Sequence, residues 1–251
     1  MTLKEFFARH PKAALAFSGG VDSAYLLYAG LQCGAEIRPY YVKTQFQPEF
    51  EYRDALCLCE QLGVEPRVLR LDALCAEAVR RNGPDRCYHC KNNIMSTIIA
   101  AAEADGFSLL LDGTNASDEA GDRPGMRALA ELGIQSPLRI CGLTKPEIRR
   151  LSREAGLFTW DKPAYACLAT RVRTGEEITE ERLGKIEAAE GCLFRLGFSD
   201  FRVRTVGDMA LLQFTAEQLP AVQEAQERIL EQLSVWFDQI RIDPEGRVKS
   251  L

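Results

Sequence analysis

Four short apolar runs, residues 13–17, 37–42, 68–71 and 109–111, alternate with longer segments whose apolar positions recur at helical spacing. Strands alternating with helices predict an α/β fold, a doubly wound parallel sheet with helices on both faces. The helical segments 23–31, 50–62 and 91–104 each run up to a glycine, Gly34, Gly63 and Gly106, the usual residue just past a helix end. Thr144, Lys145, Pro146 and Glu147 form a helix start, with Thr144 as cap and Glu147 three residues on, leading into 148–155 and a stop at Gly156. Residues 158–175 are irregular and hold Pro163. Beyond them the pattern changes to a helix over 180–196, strands over 201–206 and 210–214, a helix over 216–233 and a last strand over 239–242. The chain therefore reads as two domains, 1–163 and a smaller α+β domain over 164–251.

With 251 residues, 46% hydrophobic and 27% charged, the composition is that of a globular protein able to bury a full core. A formal net charge of -5 argues against a nucleic-acid coat. Lys4, Glu5, Arg9, His10 and Lys12 interrupt any signal-peptide core. No segment reaches the roughly 18 apolar residues needed to cross a bilayer. The expectation is a cytoplasmic protein that binds no membrane. Nine cysteines then read as buried thiols, metal ligands or catalytic groups rather than disulfide staples.

Ser18-Gly19-Gly20-Val21-Asp22-Ser23 follows the first strand and opens the first helix. Free backbone N–H groups and the positive end of a helix dipole meet there, which suits a phosphate. The glycines permit close approach, Ser18 and Ser23 offer hydroxyls, and Asp22 offers a carboxylate for a metal ion or for steering a leaving group. The ending of a Walker loop is absent. A plain glycine turn would account for the glycines alone, though not for the whole hexapeptide in its strand-loop-helix setting. After the fourth apolar run comes Asp112-Gly113-Thr114-Asn115, then Asp118, Asp122 and Arg123. At the carboxyl end of a parallel sheet this loop faces the same crevice. Gly113, Thr114 and Asn115 become nucleotide contacts, Asp118 and Asp122 join Asp22 as candidate magnesium ligands, and Arg123 a phosphate contact. A solvated turn would have the same composition.

The hexapeptide resembles the pyrophosphatase loop of the PP-loop ATPases, which implies ATP cleavage between the α and β phosphates and adenylation of an acceptor. Ser136-Pro137-Leu138, the segment 142–147 and the segment 160–171 extend the series. Together they resemble the LarE family of ATP-dependent sulfur transferases. That resemblance runs on through 175–179 and, more weakly, to Arg202, Arg204, Gly207 and Asp208. It implies sulfur insertion into pyridinium-3,5-biscarboxylic acid mononucleotide, its carboxylates becoming thiocarboxylates during assembly of a nickel-pincer cofactor. It also implies a homo-oligomer.

A carboxylate is a poor electrophile, so exchange of oxygen for sulfur needs prior conversion to an acyl adenylate. The attacking sulfur must be a thiolate or sulfide, which nearby cations favour. Cys167 is the candidate, in an irregular segment with Lys162, Arg171 and Arg173 close in sequence. In the family the matching cysteine either gives up its own sulfur or binds a cluster. Cys87-Tyr88-His89-Cys90 would, with Cys167, supply three ligands to a 4Fe-4S cluster and leave one iron open for an extra sulfide, renewed by a sulfide-donor protein. Ordinary thiols near a helix start and a redox pair remain alternatives. Thr170, Arg171, Arg195, Arg202 and Arg204 are candidate contacts for the substrate and its phosphate, with Arg202 and Arg204 on one face of a strand. Trp160 and Tyr165 are candidates to stack on a pyridinium ring. Two rivals stand beside this reading: a tRNA thiolase, which would want an extensive basic surface, and a non-catalytic module that binds nucleotide or a cluster.

Overall fold

A computed structural model of the chain describes residues 1–118 and 124–247. The predicted contacts of Arg123 and Asp122 lie outside the described residues. In chain order the elements are α1 (Leu3–Arg9), β1 (Lys12–Ala16), α2 (Val21–Gln32), β2 (Glu36–Lys43), α3 (Glu49–Gln61), β3 (Arg67–Arg70), α4 (Glu77–Arg80), α5 (Arg86–Ala104), β4 (Leu110–Leu111), α6 (Pro124–Glu131), α7 (Pro137–Ile140), α8 (Lys145–Glu154), α9 (Glu180–Arg195), β5 (Arg202–Val206), β6 (Met209–Gln213), α10 (Leu219–Glu224), α11 (Gln226–Leu233) and β7 (Gln239–Ile242). They form two compact units. The first comprises Met1–Thr44, Glu49–Asp72 and Cys87–Lys162, the second Gln45–Pro48, Ala73–Arg86 and Pro163–Leu251.

The first unit is built on a parallel sheet of order β3-β2-β1-β4. Alternation sends Ala13 and Leu15 of β1 to one face, with Phe6, Leu26, Ile37, Tyr41, Leu58 and Ile148, and Ala14 to the other, with Tyr40, Val42, Met95, Ile98 and Leu129. Both faces are dry, as a parallel sheet requires. Strand order reverses at β1, since β2 and β3 lie on one side of it and β4 on the other. Loops leaving the carboxyl ends of β1 and β4 therefore border a topological switch point, where ligands bind in open α/β sheets.

The second unit holds the sheet β5-β6-β7, antiparallel at the first pair and parallel at the second. A two-residue turn joins β5 to β6, with Gly207 at φ 59. Its parallel pair needs a crossover, which α10 and α11 supply. The expected single helix over 216–233 is broken: a 3-10 turn, Ala216–Gln218, precedes α10, and Ala225, at φ -94 and ψ 5, separates α10 from α11. Pro220, in the first turn of α10, cannot donate an N–H to a preceding carbonyl, so the helix restarts there.

Two excursions from the first half of the chain belong to this unit. Asn82 fixes one of them. Fully buried at φ 54, a conformation asparagine tolerates better than most residues, it donates from Nδ2 to Val172 O at 3.3 Å and Arg173 O at 2.9 Å. It also accepts from Gly175 N at 2.9 Å. Gln45 fixes the other, accepting from Ala73 N and donating to Glu180, both at 3.1 Å.

Candidate active site

The phosphate loop closes on itself through its serines. Ser18 Oγ and Ser23 Oγ lie 3.0 Å apart, Ser23 Oγ accepts from Ser18 N at 3.2 Å, and Gly20 N donates to Ser18 Oγ at 3.3 Å. The serine hydroxyls thus hydrogen-bond within the loop, and the first turn of α2, whose cap, Gly20, makes no side-chain hydrogen bond, leaves backbone N–H groups of the kind that can meet an anion. Gly19 sits at φ 72, and a Cβ there would stand 2.7 Å from Ala55 Cβ. Only glycine fits this turn.

The loop after β4 closes on the same helix end. A Cβ on Gly113 would lie 2.9 Å from Ser23 N and 3.2 Å from Ser23 Cα, so the two loops meet at backbone distance. Asp112 anchors this loop by accepting from Ser136 Oγ at 2.5 Å and from Thr114 Oγ1. Thr114, Asp112 and Asn115 are buried. Asn115 N donates to Asp118 Oδ2 at 2.9 Å, and Arg139 donates to the Asn115 and Asp118 carbonyls. Thr114 and Asn115 therefore hold the loop's shape.

Asp22 stands in the first turn of α2. Its Oδ2 accepts from Lys145 Nζ at 2.7 Å, while its Oδ1 is buried without a hydrogen-bond partner among the described residues. Burial pushes its carboxyl above the ordinary range; Lys145 pulls it down, and Asp118 raises it further. A buried carboxylate oxygen with no donor among the described residues, under the electrostatic influence of Asp118, fits a magnesium ion that takes one or two protein carboxylates and completes its shell with phosphate oxygens and water. Sequence reasoning missed Lys145. Its signal was a cation at the first position of a helix, where the dipole disfavours one.

In the second unit, Cys167 caps a 3-10 turn, Leu168–Arg171. The thiol residue is half-buried. Thr170 donates to the Cys167 carbonyl from N at 3.0 Å and from Oγ1 at 2.8 Å. Behind it lies a buried ion pair: Arg171 and Glu190, with side chains 1% and 2% exposed, meet at 2.8 Å and 3.3 Å. Arg171 also donates to Ala166 O at 3.0 Å and Thr170 Oγ1 at 2.9 Å. Glu190 further accepts from Val203 N at 3.0 Å and from the Tyr165 hydroxyl. The cysteine segment is thereby tied to α9 and β5.

A cleft of about 550 Å³ opens beside it, lined by Thr170, Arg171, Arg173, Arg204 and Thr205, with Arg86 from the start of α5. Arg204 donates to Thr170 O at 2.8 Å. Burial, with the charges of Arg171 and Arg247, lowers both Arg202 and Arg204, Arg202 to about 10. Guanidinium groups crowded and desolvated in this way favour an anion. The expected pairing of Arg202 with Arg204 on one face does not give equivalent roles. Arg202 is buried, donating to Phe201 O at 2.7 Å and Ala164 O at 2.8 Å, and Arg204 alone of the two lines the cleft. Arg195 is exposed at the end of α9 and is not among the lining residues.

Three other expectations change. Lys162 pairs with Asp54 at 2.7 Å, so its charge is committed within the first unit. The face of Tyr165 carries Arg171 at 4.6 Å and Arg202 at 5.4 Å, and Trp160 carries Arg153 at 4.8 Å. Helix α5 begins at Arg86, five residues before the predicted start, so Cys87 and Cys90 lie one turn apart inside it. Cys87 is exposed and Cys90 half-buried. Among the described residues no group of three or more His, Cys, Asp or Glu side chains is gathered to hold a metal ion.

No family model matches the chain. It is similar to an uncharacterised protein of Synechocystis, 36% identical over 220 residues, covering 86% of this chain and 81% of that one. It is also similar to the pyridinium-3,5-bisthiocarboxylic acid mononucleotide synthase of Lactiplantibacillus plantarum, 30% identical over 238 residues, 94% of this chain and 86% of that one. A more distant likeness, 27% over 188 residues, joins 58% of this chain to 52% of a tRNA-specific 2-thiouridylase of Thermotoga.

Proposed function

We infer the reaction from one premise: the chain belongs to the LarE family of ATP-dependent sulfurtransferases. Its acceptor is a carboxylate of pyridinium-3,5-biscarboxylic acid mononucleotide, which it adenylates and converts to a thiocarboxylate. The observation that carries this reading is that each unit holds its own built site: in the first, a helix end without a side-chain cap behind the glycine loop, and in the second, an arginine-lined cleft that includes Thr170, whose side chain holds the carbonyl of half-buried Cys167. The first suits the phosphates of ATP and the second the phosphate of a mononucleotide.

At the loop, the N–H groups of α2 hold the β and γ phosphates, with Asp22 and Asp118 placed for magnesium. When bound, that ion would supply charge to the departing pyrophosphate. The acceptor carboxylate attacks the α phosphorus, pyrophosphate leaves, and an acyl adenylate remains. Arg204, Arg173 and Thr170 orient the mononucleotide by its phosphate, and Cys167 marks where sulfur arrives. Sulfur adds to the acyl carbon and AMP departs.

The sulfur source has two readings. Cys87, Cys90 and Cys167 have the donor chemistry of a 4Fe-4S site, and such a cluster would supply an open iron able to carry a sulfide renewed by a donor protein. The second reading is that Cys167 gives up its own sulfur; its half-buried thiol caps the 3-10 turn beside the arginine-lined cleft residues Thr170 and Arg171. Its thiolate then displaces AMP to form a thioester, a base removes the Cα proton, and the Cβ–S bond breaks to leave dehydroalanine. Anaerobic reconstitution with iron and sulfide, followed by intact-mass measurement after turnover, separates them. Iron that Cys87→Ser removes, with no mass change over many turnovers, establishes the cluster; absence of iron, with loss of one hydrogen sulfide from Cys167, establishes sacrifice.

A further inference from the structure

Helix α8 begins with a cation where its dipole is positive. Such a placement opposes the dipole, so helix stability does not explain Lys145. Thr144 and Glu147 close the capping box without it. The residue is instead fixed to the candidate nucleotide site at both ends: its N–H donates to Ser117 Oγ at 2.9 Å in the loop after β4, and its ammonium to Asp22 Oδ2 at 2.7 Å in the first turn of α2. Arg149, one turn along, has its guanidinium on the carbonyls of Trp160 at 2.6 Å and Lys162 at 3.0 Å. Lys145 has a single carboxylate oxygen and a long, rotatable stem. Asp22 keeps its other oxygen buried without a partner among the described residues.

We propose that Lys145 is a positioning residue that occupies Asp22 in place of a divalent cation and moves to a nucleotide phosphate when that cation takes the carboxylate. The ion pair keeps a buried carboxylate from standing alone, which would be costly, while its second oxygen stays buried without a partner among the described residues. Exchange of the ammonium for a divalent cation raises the positive charge at Asp22 by one, and the displaced ammonium is left beside the helix end that receives the anion, whose negative charge offsets both. This rests on the reading of the glycine loop as the ATP site.

The two halves of the proposal have opposite signs in one variant. Lys145→Met removes a competitor for Asp22 and also a phosphate ligand. In the intact protein without nucleotide, binding of Mn2+ alone, read from the electron paramagnetic resonance signal of the free ion, should tighten by about tenfold, the size of one charged hydrogen bond. Binding of ATP in excess magnesium should weaken by about tenfold on the same ground. Lys145→Arg should restore ATP binding, and Asp22→Asn should abolish the Mn2+ response in either background. A Lys145→Met protein that binds both ligands less well, or ATP as well as the wild type, overturns the proposal and leaves the nucleotide site intact. A wild type that binds no ATP overturns the reading of the loop, and the proposal with it.

Discussion

At the scale of single residues, a small buried network holds the Cys167 segment in place. Arg171 serves Glu190, Ala166 O and Thr170 Oγ1 together, and Thr170 holds the Cys167 carbonyl. Removing Glu190 would leave a guanidinium buried without its counter-charge. Glu190→Ala should therefore lower unfolding free energy by about 3–5 kcal/mol, measured by urea denaturation. A loss below about 1 kcal/mol, typical of an exposed pair, would show that the network is solvated. Arg171 and Glu190 were not legible as partners in the sequence, because the pair joins a loop to a helix 19 positions on. By type and place, Arg171 suggested a substrate contact, and Glu190 an ion-pair partner or metal ligand near the face of Arg202 and Arg204.

At the scale of elements, caps and glycine stops were readable, since each rests on local geometry. The capping box of α8 is the clearest case, and it titrates. Hydrogen bonds from the Thr144 side chain and backbone hold the Glu147 carboxyl below its ordinary value of 4.5. A carboxylate with a lowered native pKa contributes stability above its unfolded value and loses it as pH falls through the lowered one. Glu147→Gln should thus melt below the wild type at pH 7, and the two should converge as acid protonates the wild-type residue. Melting curves that stay equally separated into acid would refute this account of the cap. The start of α5 lies at Arg86, directly after Pro84 and Asp85, five residues ahead of the start that the apolar spacing suggested. The break at Ala225 was silent, because alanine is the strongest helix former and carries no signal for a helix end.

At the scale of the whole molecule, alternating strands and helices predicted the parallel sheet, and the sheet's strand order put the loops after β1 and β4 at its switch point. Membership of the second unit was less legible. Gln45–Pro48 and Ala73–Arg86 leave the first unit through contacts of Gln45 and Asn82 that no periodicity announces. Lys145 was hidden for the same reason, since its partner lies 123 positions away. The central claim joins these parts: ATP is cleaved between its α and β phosphates only to prime a carboxylate for sulfur. Purified protein given ATP, magnesium, a sulfur source and pyridinium-3,5-biscarboxylic acid mononucleotide, followed by phosphorus nuclear magnetic resonance and mass spectrometry, tests it directly. The account predicts AMP and pyrophosphate in step with thiocarboxylate, and neither without the acid; ADP and phosphate, or nucleotide cleavage indifferent to the acid, would contradict it.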